Sequence, residues 1–140
     1  MNNLITAICF MDTTEGLIIG KRLGLDPHIM IDVLNVSTGM SWNSINHFKQ
    51  HIFNRKYDDH FKLGLMIKDI GIAMKLASGQ GLSLPIADLI QRLWKSAGQA
   101  SESHSSISEM VRWVEKRLKL SSFPQTDSYS AIANPKECVS

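Results

Sequence analysis

One stretch limits what this chain can fold into more than any other: Phe61 to Gly79, FKLGLMIKDIGIAMKLASG. Phe61, Leu65, Met66, Ile67, Ile70, Ile72, Ala73, Met74, Leu76 and Ala77 leave no clean polar face if it is a helix. A helix apolar all round belongs in the middle of a bundle, so a central, buried helix is expected here. Lys68 shares one face with Gly64, Gly71 and Lys75. Two glycines inside a helix cost about 1 kcal/mol each relative to alanine. Close approach of another backbone or of a ligand is the usual reason for them. An unpaired buried ammonium is too expensive to be the answer for Lys68. Either Lys68 pairs with a carboxylate or reaches water, or it faces a ligand across a cleft. The residues of this stretch leave both readings open.

The flanking segments supply the rest of a bundle. Leu4, Ile5, Ile8, Met11, Ile18, Ile19 and Leu23 recur at helical spacing, which predicts a first helix over residues 2 to about 23. Lys21 and Arg22 suit its C-terminal dipole, and Gly24 stops it. No start signal precedes it unless Asn2 or Asn3 caps it. Asp26-Pro27 opens a second helix ending near Asn35. Ser41 can cap a short one containing Trp42, Ile45 and Phe48. Residues 49 to 60 are polar, a loop or short helix. Gly79-Gln80-Gly81 ends the central helix. Leu84-Pro85 opens another, with Ile86, Leu89, Ile90, Leu93, Trp94 and Ala97 on one side and Gly98 at its end. Ser106 and Glu109 have capping-box spacing before a last helix with a stripe of Met110, Val111, Trp113, Val114 and Leu118. Residues 121 to 140 carry Ser, Pro and Asn without periodicity and are expected to be a disordered tail. The fold class expected is all-α: one domain over residues 1–120, five or six helices around the central one.

Composition narrows the function classes. At 140 residues, 44% hydrophobic and 20% charged, the chain can bury a real core. A net charge of +2 with no basic cluster interleaved with aromatics argues against a nucleic-acid partner. Asp12 and Glu15 interrupt the N-terminal apolar run, so neither a signal peptide nor a membrane span is expected, and a cytoplasmic location is the default. Cys9 and Cys138 lie far apart, which makes a disulfide framework improbable. Two cysteines and five scattered histidines give no metal-ligand spacing.

Few residues suggest chemistry by themselves. Ser103, His104 and Asp88 show no nucleophile-elbow context. His47, His51 and His60 fall in or near the polar loop and are expected to be solvated. The pair Asp58-Asp59 precedes the central helix and is expected to favour its N-terminus rather than act as an acid–base dyad. Met40, Met66, Met74 and Met110 are expected in the core. No glycine-rich strand-turn-helix fingerprint for a nucleotide is present.

Three stretches, in order and spacing, resemble the C-terminal domain of the β-hydroxyacid dehydrogenases, the 3-hydroxyisobutyrate dehydrogenase-like group. Phosphogluconate dehydrogenase is a more distant member of the same fold. Leu63 to Ala73, LGLMIKDIGIA, is similar to the family's KD-containing helix. Glu15 to Pro27, EGLIIGKRLGLDP, resembles the segment leading into the second helix. Leu34 to Ser44, LNVSTGMSWNS, resembles a turn found especially in the 3-hydroxyisobutyrate enzymes. The likeness covers about residues 1 to 118.

The resemblance implies a set of expectations. The family's motif is a lysine followed one turn later by an asparagine on a long interdomain helix. Asn3 falls on the asparagine position with Asn2 beside it; the lysine would precede Met1, and the N-terminal Rossmann domain is missing from this chain. Asn3 is then the catalytic-site residue that holds substrate, Asn2 and Lys68 contribute to substrate binding, and Lys68 approaches the cofactor. The implied reaction is oxidation of a small β-hydroxy acid with hydride transfer to NAD or NADP. The chain is expected to be inactive alone and to form a homo-oligomer, a dimer. The competing expectation is a stand-alone helical oligomerisation or binding module without catalysis.

Overall fold

The computed structural model describes residues 1–120 and Phe123. Among the described residues the chain is helical throughout, with no strand. The helices are α1 (Asn2–Arg22), α2 (Pro27–Leu34), α3 (Trp42–Asn46), a π-helical turn (Phe48–Ile52), α4 (Leu63–Gly79), α5 (Pro85–Gln99) and α6 (Glu109–Leu118). The all-α expectation holds, with seven helical segments among the described residues rather than five or six. The expected disordered tail lies outside the described residues except for Phe123, which is buried against Phe53 with ring centroids 5.3 Å apart.

Local chemistry accounts for several boundaries. α1 ends in a Schellman motif: Gly24 takes φ 86°, Leu25 N–H donates to Gly20 C=O at 2.9 Å, and Gly24 N–H to Lys21 C=O at 3.1 Å. The start of α1 has no side-chain cap; Met1 is its N-cap, and neither Asn2 nor Asn3 fills that role. Asp26 accepts from His28 N–H at 2.8 Å to open α2. Ser41 and Ser44 cap α3 reciprocally, Ser44 N–H to Ser41 Oγ at 3.1 Å and Ser41 N–H to Ser44 Oγ at 2.9 Å. Thr13 and Thr14 are buried inside α1 and donate back to the carbonyls of Cys9 and Phe10.

α4 packs chiefly on α5 and α1, as a central helix should. It is not buried on every side. Leu63, Met66, Ile70, Ala73, Met74 and Ala77 form its inner face, while Leu65, Ile72 and Leu76 are exposed. Periodicity cannot separate these two faces because both are apolar. Gly98 does not end α5, which runs on to Gln99; it lies where a side chain would meet Ile67 Cδ1 at 2.4 Å, so it is a close-packing position between α5 and α4. The core centres on Phe10, whose ring meets Phe48 at 5.6 Å and Trp94 at 6.0 Å. Met66, Met74 and Met110 join the core as expected; Met40 is exposed instead.

The capping box expected at Ser106–Glu109 does not form. The N-cap of α6 is Ser108, without a side-chain cap of its own. Asp59, 49 residues earlier, takes that place: its carboxylate accepts from Ser108 N–H at 3.0 Å and from the Ser108 hydroxyl. Ser106 Oγ donates to Tyr57 C=O at 2.8 Å. A short antiparallel bridge between Lys62 and Ser106 completes the join, with Leu63 N–H on Ser105 C=O and Ile107 N–H on Phe61 C=O. The starts of α4 and α6 are thus fastened together.

Candidate functional site

A cleft of about 620 Å³ opens beside the first turn of α1. Asn2, Asn3 and Thr6 form one wall. Trp42 and Asn46 of α3 face them, followed by His47 and His51. The floor combines Asp59, His60 and Phe61 from the approach to α4 with Met66 and Ile107. A second groove of about 250 Å³ runs along Met1, Asn2, Asn3, Asp69, Ile72, Ala73 and Leu76. Asn2 and Asn3 therefore stand between the two spaces.

Asn3 is held at that point by α4. Its Nδ2 donates to Asp69 Oδ2 at 2.7 Å, and its Oδ1 accepts from Asn2 Nδ2 at 3.2 Å. One N–H and one lone pair of the amide stay uncommitted by these two bonds. Asp69 also lies 3.7 Å from Lys68 Nζ. Lys68 itself is 62% exposed and does not line the cleft. On the same outer face, a side chain added at Gly64 or Gly71 would meet nothing within 4 Å. The close approach that would offset these glycines is not made by this chain's own described residues. The sequence thus brings Asn2, Asn3 and Asp69 together and leaves Lys68 one step outside.

Of the three histidines expected to be solvated, two are engaged within the chain and one is exposed. His47 is buried, with its ring edge-on to Phe10 at 5.9 Å and to Trp42 at 5.1 Å. Burial pushes its pKa below 6.5, Asp59 pulls it back up, and His51 pushes it further down. His51 Nδ1 lies 2.7 Å from Asp58 Oδ1, and that hydrogen bond holds the Asp58 carboxyl below its usual range. His60 is exposed at the cleft edge, as expected. Asp58 and Asp59 do not act as a pair at the start of α4: one serves His51, the other α6. Trp42, in the short helix expected after Ser41, is 67% exposed and lines the cleft.

Sequence reasoning missed Trp42, Asn46, His47 and His51 as lining residues. A signal was available: His47 and His51 are four apart, which puts both rings on one helical face. Their assignment to a polar loop concealed it. Among the described residues no group of three or more His, Cys, Asp or Glu is placed to hold a metal ion.

Comparison with known proteins gives this cleft a context. Residues 1–114 match the family model described as NAD-binding of NADP-dependent 3-hydroxyisobutyrate dehydrogenase. The chain is 29% identical over 123 residues to the mitochondrial 3-hydroxyisobutyrate dehydrogenase of Rattus norvegicus, covering 81% of this chain and 37% of that one. It is 31% identical over 122 residues to the 3-hydroxyisobutyrate dehydrogenase of Pseudomonas aeruginosa, covering 79% and 41%. The chain therefore spans about two-fifths of the length of these relatives. In solved structures the same fold occurs in the 3-hydroxyisobutyrate dehydrogenase of Mycobacterium tuberculosis with L-serine, TM-score 0.69 at 20% identity over 81% of this chain and 40% of that one. The Salmonella typhimurium enzyme gives 0.71 at 21% identity over 80% and 39%.

Proposed function

This chain belongs to the family described as NAD-binding of NADP-dependent 3-hydroxyisobutyrate dehydrogenase, and from that premise we propose that it is the substrate-positioning and dimerisation part of an NAD(P)-dependent oxidoreductase for a small β-hydroxy acid. Membership supports a dehydrogenase-type domain linked to NAD(P). The finer roles rest on one observation: Asp69 of α4 fixes the Asn3 amide in the lining of the cleft while leaving it able to donate and accept once more. Asn3 holds the hydroxy acid and Asn2 supports it. Hydride acceptance belongs to NAD or NADP when bound. Lys68 fits the cofactor side: an exposed ammonium beside two glycines where an added side chain would meet no described residue within 4 Å, suited to an anionic or amide-bearing group. Turnover needs a nucleotide-binding domain as well, so these 140 residues by themselves do not turn over substrate.

The test is an assay of the 140-residue chain with 3-hydroxyisobutyrate and NAD(P)⁺, alone and mixed with a separately expressed nucleotide-binding domain from a relative. Turnover is expected only in the mixture and is lost in Asn3→Ala. Turnover by the chain alone, or none in the mixture, counts against the reading. A second reading, a helical oligomerisation or binding module without catalysis, draws on exposed Leu65, Ile72 and Leu76 of α4. It gains if the mixture stays inactive while sedimentation shows self-association that Leu76→Lys abolishes.

A further inference from the structure

Among the described residues three other than glycine take a positive φ, and two of them, Arg55 at 60° and Tyr57 at 52°, fall between Phe53 and Lys62, the connection from the π-helical turn to α4. The left-handed conformation crowds a Cβ against the following carbonyl, so such residues persist only where their surroundings hold them. The hold here comes from α6 and the residues just before it. Arg55 Nη1 donates to both oxygens of Glu115 at 2.9 Å, and Glu115 is 3% exposed. The Tyr57 ring centroid lies 5.2 Å from the Arg55 guanidinium and 5.2 Å from that of Arg112, which in turn donates to Glu109 at 2.8 Å. The Ser106 hydroxyl donates to Tyr57 C=O at 2.8 Å. A buried ion pair is often no more stabilising than apolar side chains of similar volume, so geometry is the better account of this one. The strained segment reaches the cleft directly. Tyr57 N–H donates to His51 C=O at 2.7 Å, and the next residue, Asp58, has its carboxylate 2.7 Å from His51 Nδ1. Asp59, His60 and Phe61 follow and line the cleft, as does His51. Turning residue 55 or 57 out of the left-handed region redirects the chain just before Asp58.

We propose that the Arg55–Glu115 ion pair positions part of the cleft lining: it holds Arg55 and Tyr57 left-handed, and that backbone course fixes His51 through Tyr57 and Asp58 and delivers Asp59, His60 and Phe61. Arg55 and Glu115 are positioning residues, since neither lines the cleft itself. The inference rests on the hydroxy-acid reading above for what the cleft binds, but the coupling from α6 to the cleft exists without a ligand. Glycine separates this role from plain fastening, because it enters the left-handed region about as readily as the right-handed one. If the pair acts by holding the backbone, glycine at position 55 replaces it. If the pair only fastens α6, glycine does no better than alanine.

The test compares two double variants of the full chain: Arg55→Gly with Glu115→Gln, and Arg55→Ala with Glu115→Gln. The glutamine leaves no unpaired buried charge in either, so the two differ by one methyl group. The first readout is NMR of the chains labelled with ¹⁵N in histidine, at pH 7.5 and without ligand. The His51 and His60 ring resonances are expected at their parent positions in the glycine variant and shifted in the alanine variant. In the reconstituted mixture with 3-hydroxyisobutyrate, the alanine variant is expected to raise KM about fivefold with kcat within about twofold of the parent, the penalty of keeping an alanine left-handed, and the glycine variant to restore KM. Equal spectra in the two variants, whether both parental or both shifted, overturn the inference. Amide hydrogen exchange on the parent chain needs no variant and decides the matter if the alanine variant does not fold. Tyr57 N–H, held by His51, and Ser108 N–H, held by Asp59, are expected to open together; opening rates more than about tenfold apart overturn the inference as well. If the spectra behave as expected while the parent mixture shows no turnover, the hydroxy-acid reading falls and the positioning role stands.

Discussion

Two polar regions draw on the segment from Phe48 to Phe61, and they treat their polar groups differently. On one side Arg55 Nη1 binds both oxygens of buried Glu115 at 2.9 Å, and Glu115 Oε1 also accepts from Phe123 N–H. Nearby, Asp59 is committed to Ser108 and to Phe61 N–H. On the cleft side Asn3 keeps spare donor and acceptor capacity, and His47 Nδ1 has no hydrogen-bond partner among the described residues. Buried charge on the first side is bound within the chain and holds elements together. Polar groups on the second side are positioned but left incomplete, as a site for something else would be. The same short segment feeds both sides, so burial and sequence position do not distinguish a fastening residue from a binding residue. Commitment does.

Substitutions should separate the two sides. The largest effect is expected for Glu115→Ala, which leaves Arg55 without its buried carboxylate and costs about 3 kcal/mol in urea unfolding. A loss below about 1 kcal/mol would mean that this side is not the fastening. Asn3→Ala should cost only about 1 kcal/mol, one partly buried hydrogen bond to Asp69, while removing turnover in the reconstituted mixture. Smallest at neutral pH is His47→Phe, within about 1 kcal/mol of the parent because it deletes a sealed, unpartnered nitrogen. Its effect grows with acid. The folded pKa of His47 lies below the unfolded 6.5, so the unfolded chain binds the extra proton first. Stability falls as pH drops from 6.5 towards the lowered value and then levels. Between pH 7.5 and 5.5 the parent should lose more of its urea midpoint than His47→Phe. An equal loss would show that His47 titrates freely and would merge the two sides.

What could be read from sequence divides along the same line. Asp26-Pro27, Ser41 and Gly24 were legible because a cap or a Schellman turn is decided within five residues. The serines at 106 and 108 were not, because they are engaged by Tyr57 and Asp59 across 49 residues. Lys68 and Asp69 could be singled out, and so could Asn2 and Asn3 once the resemblance was seen. That Asp69 would grip Asn3 depended on packing α4 against α1, which no local pattern encodes. His47 was misplaced for the same reason: its burial is supplied by Phe10 and Trp42.

The cleft draws its lining from Asn2 at one end of the sequence to Ile107, more than a hundred residues later. No local fragment contains it. A molecule that fits it binds only the completed fold, so every such molecule must raise the midpoint of thermal unfolding, by an amount that grows with the logarithm of one plus its concentration divided by its Kd. Melting curves recorded over a panel of small acids and alcohols would therefore rank ligands with no assay of catalysis at all.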